Sequence, residues 1–303
     1  MFENNPLFLA PLAGFSDPPL RSVVKQFGCD VTISEMISSN ALVFGGEKTL
    51  KMLEKNEFES PFIVQIAGSD EEVIKKAVLI LNKFDGIDGI DLNCGCPVPK
   101  VVKQNAGSAL LLNLDKLSRL IEIIKKYSNK KFTSAKVRLG FDEKIPELIA
   151  KAVENAGADF IAMHGRTRKG GYTAKVDYDA IANAKKAIKI PLIANGDINS
   201  QNAEFIRNKT NADALMIGRA SIGKPWVFYE IKTGKSVDSD TKKKIILCHF
   251  DEMIKYYGDH ATAIFRKHLH EYSKGYENAT NFRESINHIN SPSIMRDEIY
   301  KFF

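Results

Sequence analysis

Eight short runs of apolar, β-prone residues recur along this chain, at 7–12, 31–36, 62–67, 89–93, 132–139, 160–163, 191–194 and 214–217. Between most of them the apolar residues fall at helical spacing, as with Val73, Ile74, Ala77, Val78 and Leu81. Several runs are apolar at consecutive positions, which suits strands buried beneath helices. Eight strand–helix units in about 220 residues fit a (β/α)8 TIM barrel. A doubly wound open sheet is the competing arrangement, and it more often carries a GxGxxG turn after its first strand. Here the first run ends in Ala10-Pro11-Leu12-Ala13-Gly14, with one glycine. A barrel is therefore expected.

The pattern changes near residue 236. Residues 242–257, 261–276 and 281–289 read as helices with no strand between them, following a charged linker at 232–244. The chain thus divides into an α/β barrel domain, 1–235, and a small C-terminal all-helical domain, 236–303. No apolar run reaches the roughly 20 residues that span a bilayer. The first six residues lack a basic segment leading into an apolar one, so no secretion signal is expected. Four scattered cysteines do not make a disulfide framework in 303 residues. The expectation is a reduced, cytoplasmic protein without a membrane or protein partner. A net charge of +6 is compatible with a nucleic-acid partner.

In a TIM barrel the reactive groups gather where the strands end. Those ends carry Pro11-Leu12-Ala13, Glu35-Met36, Gln65, Asn93 with Cys96, Lys136 with Arg138, His164 with Arg166, Asn195-Gly196-Asp197 and Gly218-Arg219. The loops after the last two strands of such barrels commonly bind phosphate through backbone N–H groups. A phosphorylated cofactor is the natural inference, with Gln65 and Lys136 in reach of a planar ring over the barrel mouth. A cation there would stabilise the reduced, anionic ring. Cys94 and Cys96 offer half of a metal site, but no further Cys or His cluster completes it, and no metal is expected. Five of the six histidines (249, 260, 268, 270 and 288) fall in the tail, where they read as solvated or capping residues; His268 and His270 lack a third zinc ligand at sensible spacing.

Taken in order, these stretches resemble the tRNA-dihydrouridine synthases, flavin enzymes that reduce a specific uridine in tRNA. The resemblance runs through Ser34-Glu35-Met36, Gln65-Ile66-Ala67-Gly68, Asn93 to Pro97, Lys100-Val101, Gly107-Ser108-Ala109-Leu110, Lys136-Val137-Arg138, the segment from His164 to Arg168, and both terminal loops. In the tail, Arg266-Lys267-His268 and Tyr272 are similar to the helical RNA-binding domain of bacterial members. Residues 34–40 and 65–70 look closest to the bacterial B-type branch.

What the resemblance implies can be carried over by position. Pro11, Leu12 and Ala13 would line the FMN ring, with Gln65 and Lys136 hydrogen-bonded to it and His164 nearby. Asn195, Gly196, Asp197, Gly218 and Arg219 would hold the ribityl phosphate. Cys96 matches the catalytic cysteine, protonating C5 of uracil after hydride reaches C6 from flavin N5; NADPH, or NADH, would be the reductant. A thiol's ordinary pKa of about 8.5 leaves it a proton to give near neutrality. Asn93, Arg138 and Arg166 would bind substrate, and Arg266 and Lys267 the tRNA backbone. The branch resemblance implies U17 of the D-loop, flipped out of the folded RNA. Two other readings stay open: a small-molecule FMN oxidoreductase of the dihydroorotate or dihydropyrimidine dehydrogenase type, which has no need of the helical tail, and a non-catalytic RNA-binding barrel, against which Cys96, Lys136 and the phosphate loops argue.

Overall fold

A computed structural model describes residues 1–303, the side chain of Lys48 excepted. Nine parallel strand segments form one sheet: β1 Leu7–Leu9, β2 Thr32–Ile33, β3 Ile37–Ser38, β4 Phe62–Ala67, β5 Gly89–Cys94, β6 Phe132–Arg138, β7 Phe160–His164, β8 Leu192–Asn195 and β9 Ala214–Ile217. The sheet runs β1-β9-β8-β7-β6-β5-β4-β2, with β3 also on β4. A parallel bridge between Phe8 and Val31 links the two ends of this order, so the sheet curls into a nearly closed barrel. The expected fold class holds. One difference is local. The run at 31–36 breaks into β2 and β3, because the Ser34 side-chain Oγ takes the Gln65 N–H that a backbone carbonyl would accept in a continuous ladder.

Side chains alternate across each strand, and that alternation builds the barrel in layers. One set, including Leu7, Leu9, Val64, Leu92, Val137 and Met163, packs outward beneath the helices. The other set points inward, where Phe8, Ile33, Ile63, Phe160, Ile193 and Met216 fill the floor. Above that floor the inward positions become polar: Gln65, Asp91, Asn93, Ser134, Lys136, Arg138, His164 and Asn195. Cys94 belongs to the outward set and is fully buried beneath the helices. The covering helices bury matching stripes. In Leu114–Tyr127 these are Leu117, Leu120, Ile121 and Ile124, and the Asn113 side chain caps the helix by accepting the Lys116 N–H.

The tail holds four helices, Ser239–Tyr257, Ala261–Tyr272, Ala279–His288 and Pro292–Phe302. Two expectations need correction. The stretch at 232–244 is not all linker, since Asp238 accepts the Thr241 N–H and starts a helix within it. Pro292–Phe302 was not anticipated; Pro at its start and Met295 and Ile299 at apolar spacing form it. The tail core, with Phe250, Phe265, Leu269 and Ile286, also takes in Trp226 and Val23 from the barrel. Helix Pro18–Gln26 therefore has two apolar sides, Leu20 and Val24 on the barrel and Val23 on the tail. Between them Arg21 is fully buried and paired with Glu59 at 2.6 Å, its other nitrogens donating to the Ser16 and Glu54 carbonyls.

Candidate active site

At the C-terminal ends of the strands lies a cavity of about 520 Å³. It brings together every barrel residue expected near a cofactor, along with Asn93, Cys96 and Arg138. Arg166, Arg266 and Lys267 are not in its wall.

Its base is one continuous hydrogen-bond chain. Ser134 Oγ donates to Asp91 Oδ1 at 2.6 Å, and Gln65 Nε2 donates to Asp91 Oδ2 at 2.7 Å. Gln65 Oε1 in turn accepts from Asn93 Nδ2 at 2.7 Å. Asn93 Oδ1 then accepts the N–H groups of Gly95 (3.2 Å) and Cys96 (2.9 Å). The expected substrate-orienting amide thus spends its oxygen shaping the turn that carries the thiol. Asp91, which residue spacing did not single out, anchors the chain; burial raises its pKa to about 6, opposed by the two hydrogen bonds it receives. An ionisable residue amid an apolar strand was the available signal.

Cys96 is half-buried at the cavity, while burial holds the Cys94 thiol well above its ordinary pKa. The Cys96 carbonyl accepts the Ser108 N–H, joining the turn to the short 3-10 helix Gly107–Leu112. Gly107 makes that approach possible. Its φ is +60°, and a Cβ there would lie 2.9 Å from the Cys96 oxygen.

Lys136 Nζ donates to Asn195 Oδ1 at 3.1 Å, and Asn195 Nδ2 donates to the Met216 carbonyl at 2.9 Å. Burial, then Arg138, pulls the lysine's pKa to about 8. His164 is held neutral by burial and by the surrounding cations. Arg166 Nη1, which can only donate, lies 3.3 Å from His164 Nε2, so the imidazole proton sits on Nδ1.

The loop after β8 is held open by Gly196, φ +131°, and Asp197, φ +48°. The Asp197 carboxylate takes Arg166 at 2.6 Å and Arg219 at 2.5 Å, and these cations hold its pKa below the usual range. Arg166 is therefore buried, committed to Asp197 and outside the cavity wall, away from where a substrate contact was expected. Arg138 is likewise anchored, its Nε on the Gly95 carbonyl at 2.7 Å and its Nη1 on the carbonyls of Thr167 and Gly171, both at 3.1 Å. Tyr172 stands in a loop, where no strand or helix periodicity marks it. It lies in the wall beneath Arg138 (5.4 Å) and Arg219 (5.6 Å), offering an aromatic face at the mouth.

The two tail cations fall elsewhere. Arg266 Nη2 donates to the Ile289 carbonyl and to Asn290 Oδ1, both at 2.8 Å, so it closes a turn between helices. Lys267 Nζ donates to the Gly14 carbonyl and stands 5.3 Å from the Phe15 ring centre, so it joins tail to barrel. His249 and His268 are fully buried, not solvated. Cations that face solvent at the cavity end include Lys100 and Lys103, beside the Cys96 turn, and Lys169.

Comparison with known proteins agrees with this geometry. The profile of the family described as Dihydrouridine synthase (Dus) matches residues 8–301. A protein of Helicobacter pylori J99 named as a probable tRNA-dihydrouridine synthase is 49% identical over 300 residues, 98% of this chain and 92% of that one. The tRNA-dihydrouridine synthase B of Pasteurella multocida is 36% identical over 310 residues, covering 99% and 93%. Among solved structures, the old yellow enzyme from Trypanosoma cruzi superposes with a TM-score of 0.58 at 8% identity, over 77% of this chain and 89% of that one, a likeness of fold.

Proposed function

Since the chain belongs to the dihydrouridine synthase family, we propose that it reduces U17 of the tRNA D-loop, holding FMN in the barrel mouth and using NADPH as electron donor. The supporting observation is one cavity that joins the Cys96 thiol, a desolvated lysine and two glycine-containing anion loops. The residues fit such a cofactor. The cavity volume lies within the roughly 300–1,000 Å³ of small-molecule sites. Gly196 and Gly218 leave backbone open to a phosphate, with Arg219 as its fixed cation and Asp197 positioning that arginine.

When bound, FMN would supply hydride to C6 of the uracil, restored by NADPH. The chain's own residues do the rest. Lys136 and Gln65 orient the ring's polar edge. Asn93 sets the Cys96 turn through its oxygen, so the thiol faces the cavity with a proton for C5. Tyr172 and Arg138, stacked on each other, line the space the extruded base would enter. Lys100, Lys103 and Lys169 meet the tRNA backbone in place of Arg266 and Lys267.

A Cys96→Ala enzyme should keep its flavin colour and its affinity for tRNA, yet lose about 10²–10⁴-fold in turnover. Full turnover would remove the proton-donor role. Mapping dihydrouridine in tRNA from cells lacking the gene tests the site; the modification should vanish at position 17, and its persistence there would overturn that assignment.

A further inference from the structure

Where barrel meets tail, three chemically able side chains converge that the reduction does not use. Asp17 caps helix Pro18–Gln26, His249 lies mid-way along Ser239–Tyr257, and His268 lies in Ala261–Tyr272. All three are buried, and one ligand atom from each lies within 4.8 Å of the other two. The polar atoms here lack partners. His249 Nε2 and both ring nitrogens of His268 are buried with no hydrogen bond. Buried imidazole nitrogens left empty are costly, and one from each histidine, converging with the Asp17 carboxylate, calls for a common partner.

We propose that Asp17, His249 and His268 form a binding site for a divalent transition metal, Zn2+ by ligand type, that fastens the helical tail to the loop after β1. Two imidazoles and a carboxylate suit Zn2+, a fourth position being open to water. The outer contacts agree. His249 Nδ1 is 2.9 Å from Tyr272 Oη, which leaves Nε2 for the metal and fixes the ring. Asp17 is steadied by the Leu20 N–H at 3.2 Å and the Tyr257 hydroxyl at 3.0 Å. Burial keeps both histidines neutral, the ligating form, and raises Asp17 to about 6, a cost that a bound dication removes. The charged groups nearby are Lys267, on the Gly14 carbonyl, and Glu35, on the Gly14 N–H. Tetrahedral ligands at about 2.0–2.1 Å from zinc require the three atoms to draw together by a small side-chain shift. The sequence hid this site because its third ligand lies over 200 residues from the histidines.

The test uses tag-free, full-length flavoprotein. Elemental analysis should find about one zinc per chain, and stripping it with a chelator should lower Tm by several degrees, reversed by added Zn2+. Titrating the stripped protein with Co2+ should give the visible bands of a tetrahedral site, saturating at one equivalent; this readout needs no variant. His268→Gln and Asp17→Asn should each weaken metal binding at least tenfold, whereas Cys96→Ser should leave it unchanged. No saturable binding to the stripped wild type, binding unaltered in His268→Gln, or binding lost in Cys96→Ser would each overturn the proposal.

Discussion

Lys136 keeps its proton against burial and a neighbouring arginine, and its pKa of about 8 lies far below the ordinary 10.5. The sign follows. An unfolded chain holds that proton up to about pH 10.5, so between pH 8 and 10.5 the unfolded state binds more protons and stability rises with pH. Affinity for an anionic cofactor should move oppositely, falling as pH passes 8. Comparing wild type with Lys136→Met should show both trends in the former alone; a pH-independent difference between them counts against a titrating lysine. Asp91 is the second telling residue. Asp91→Asn would set an amide N–H against a donor of Gln65 or Ser134, costing about 1–3 kcal/mol in denaturant unfolding and slowing turnover through the Asn93 turn. Unchanged stability and rate would show the chain to be dispensable. Most cavity residues were legible in the sequence because a reactive residue at a strand's end has a fixed place in a barrel. Their partners were not: whether Arg166 meets substrate or Asp197 depends on which loops meet, and spacing along the chain does not carry that.

Among the elements, the strands were the plainest, since both their faces are buried and period 2 sorts floor, mouth and helix-facing layers. The split of β2 from β3 is not legible in the sequence, because nothing along the chain shows that Ser34 Oγ replaces a backbone carbonyl as acceptor of the Gln65 N–H. The short helix Gly107–Leu112 matters beyond its length, as it backs the turn that carries the thiol. Gly107→Ala would place a methyl group 2.9 Å from both the Cys96 carbonyl oxygen and Val101 Cγ1, at a φ that L residues avoid. The turn would have to yield. We expect turnover to drop about tenfold or more with flavin still bound, because small misplacements of a reacting group are expensive. Loss of flavin with turnover per bound flavin intact would instead locate the damage in the cofactor site.

For the whole molecule, the division into barrel and tail was visible in the loss of strand signals, but their interdependence was not. Val23 and Trp226 belong to the tail's core, and Tyr256 and Lys51 exchange hydrogen bonds across the junction, the lysine donating to a carbonyl at 3.2 Å and the hydroxyl at 2.8 Å. Removing residues 236–303 should therefore yield an aggregating barrel with a lowered or uncooperative melt. A soluble truncation melting like the parent would show that the barrel is self-sufficient. The same arrangement has a consequence for synthesis on the ribosome. Strand β1 waits for β9, and Val23 waits longer, for helices made from the last quarter of the chain. Until these emerge, one side of helix Pro18–Gln26 stays bare, so an interrupted translation product carries a sticky, chaperone-binding patch that the finished protein conceals.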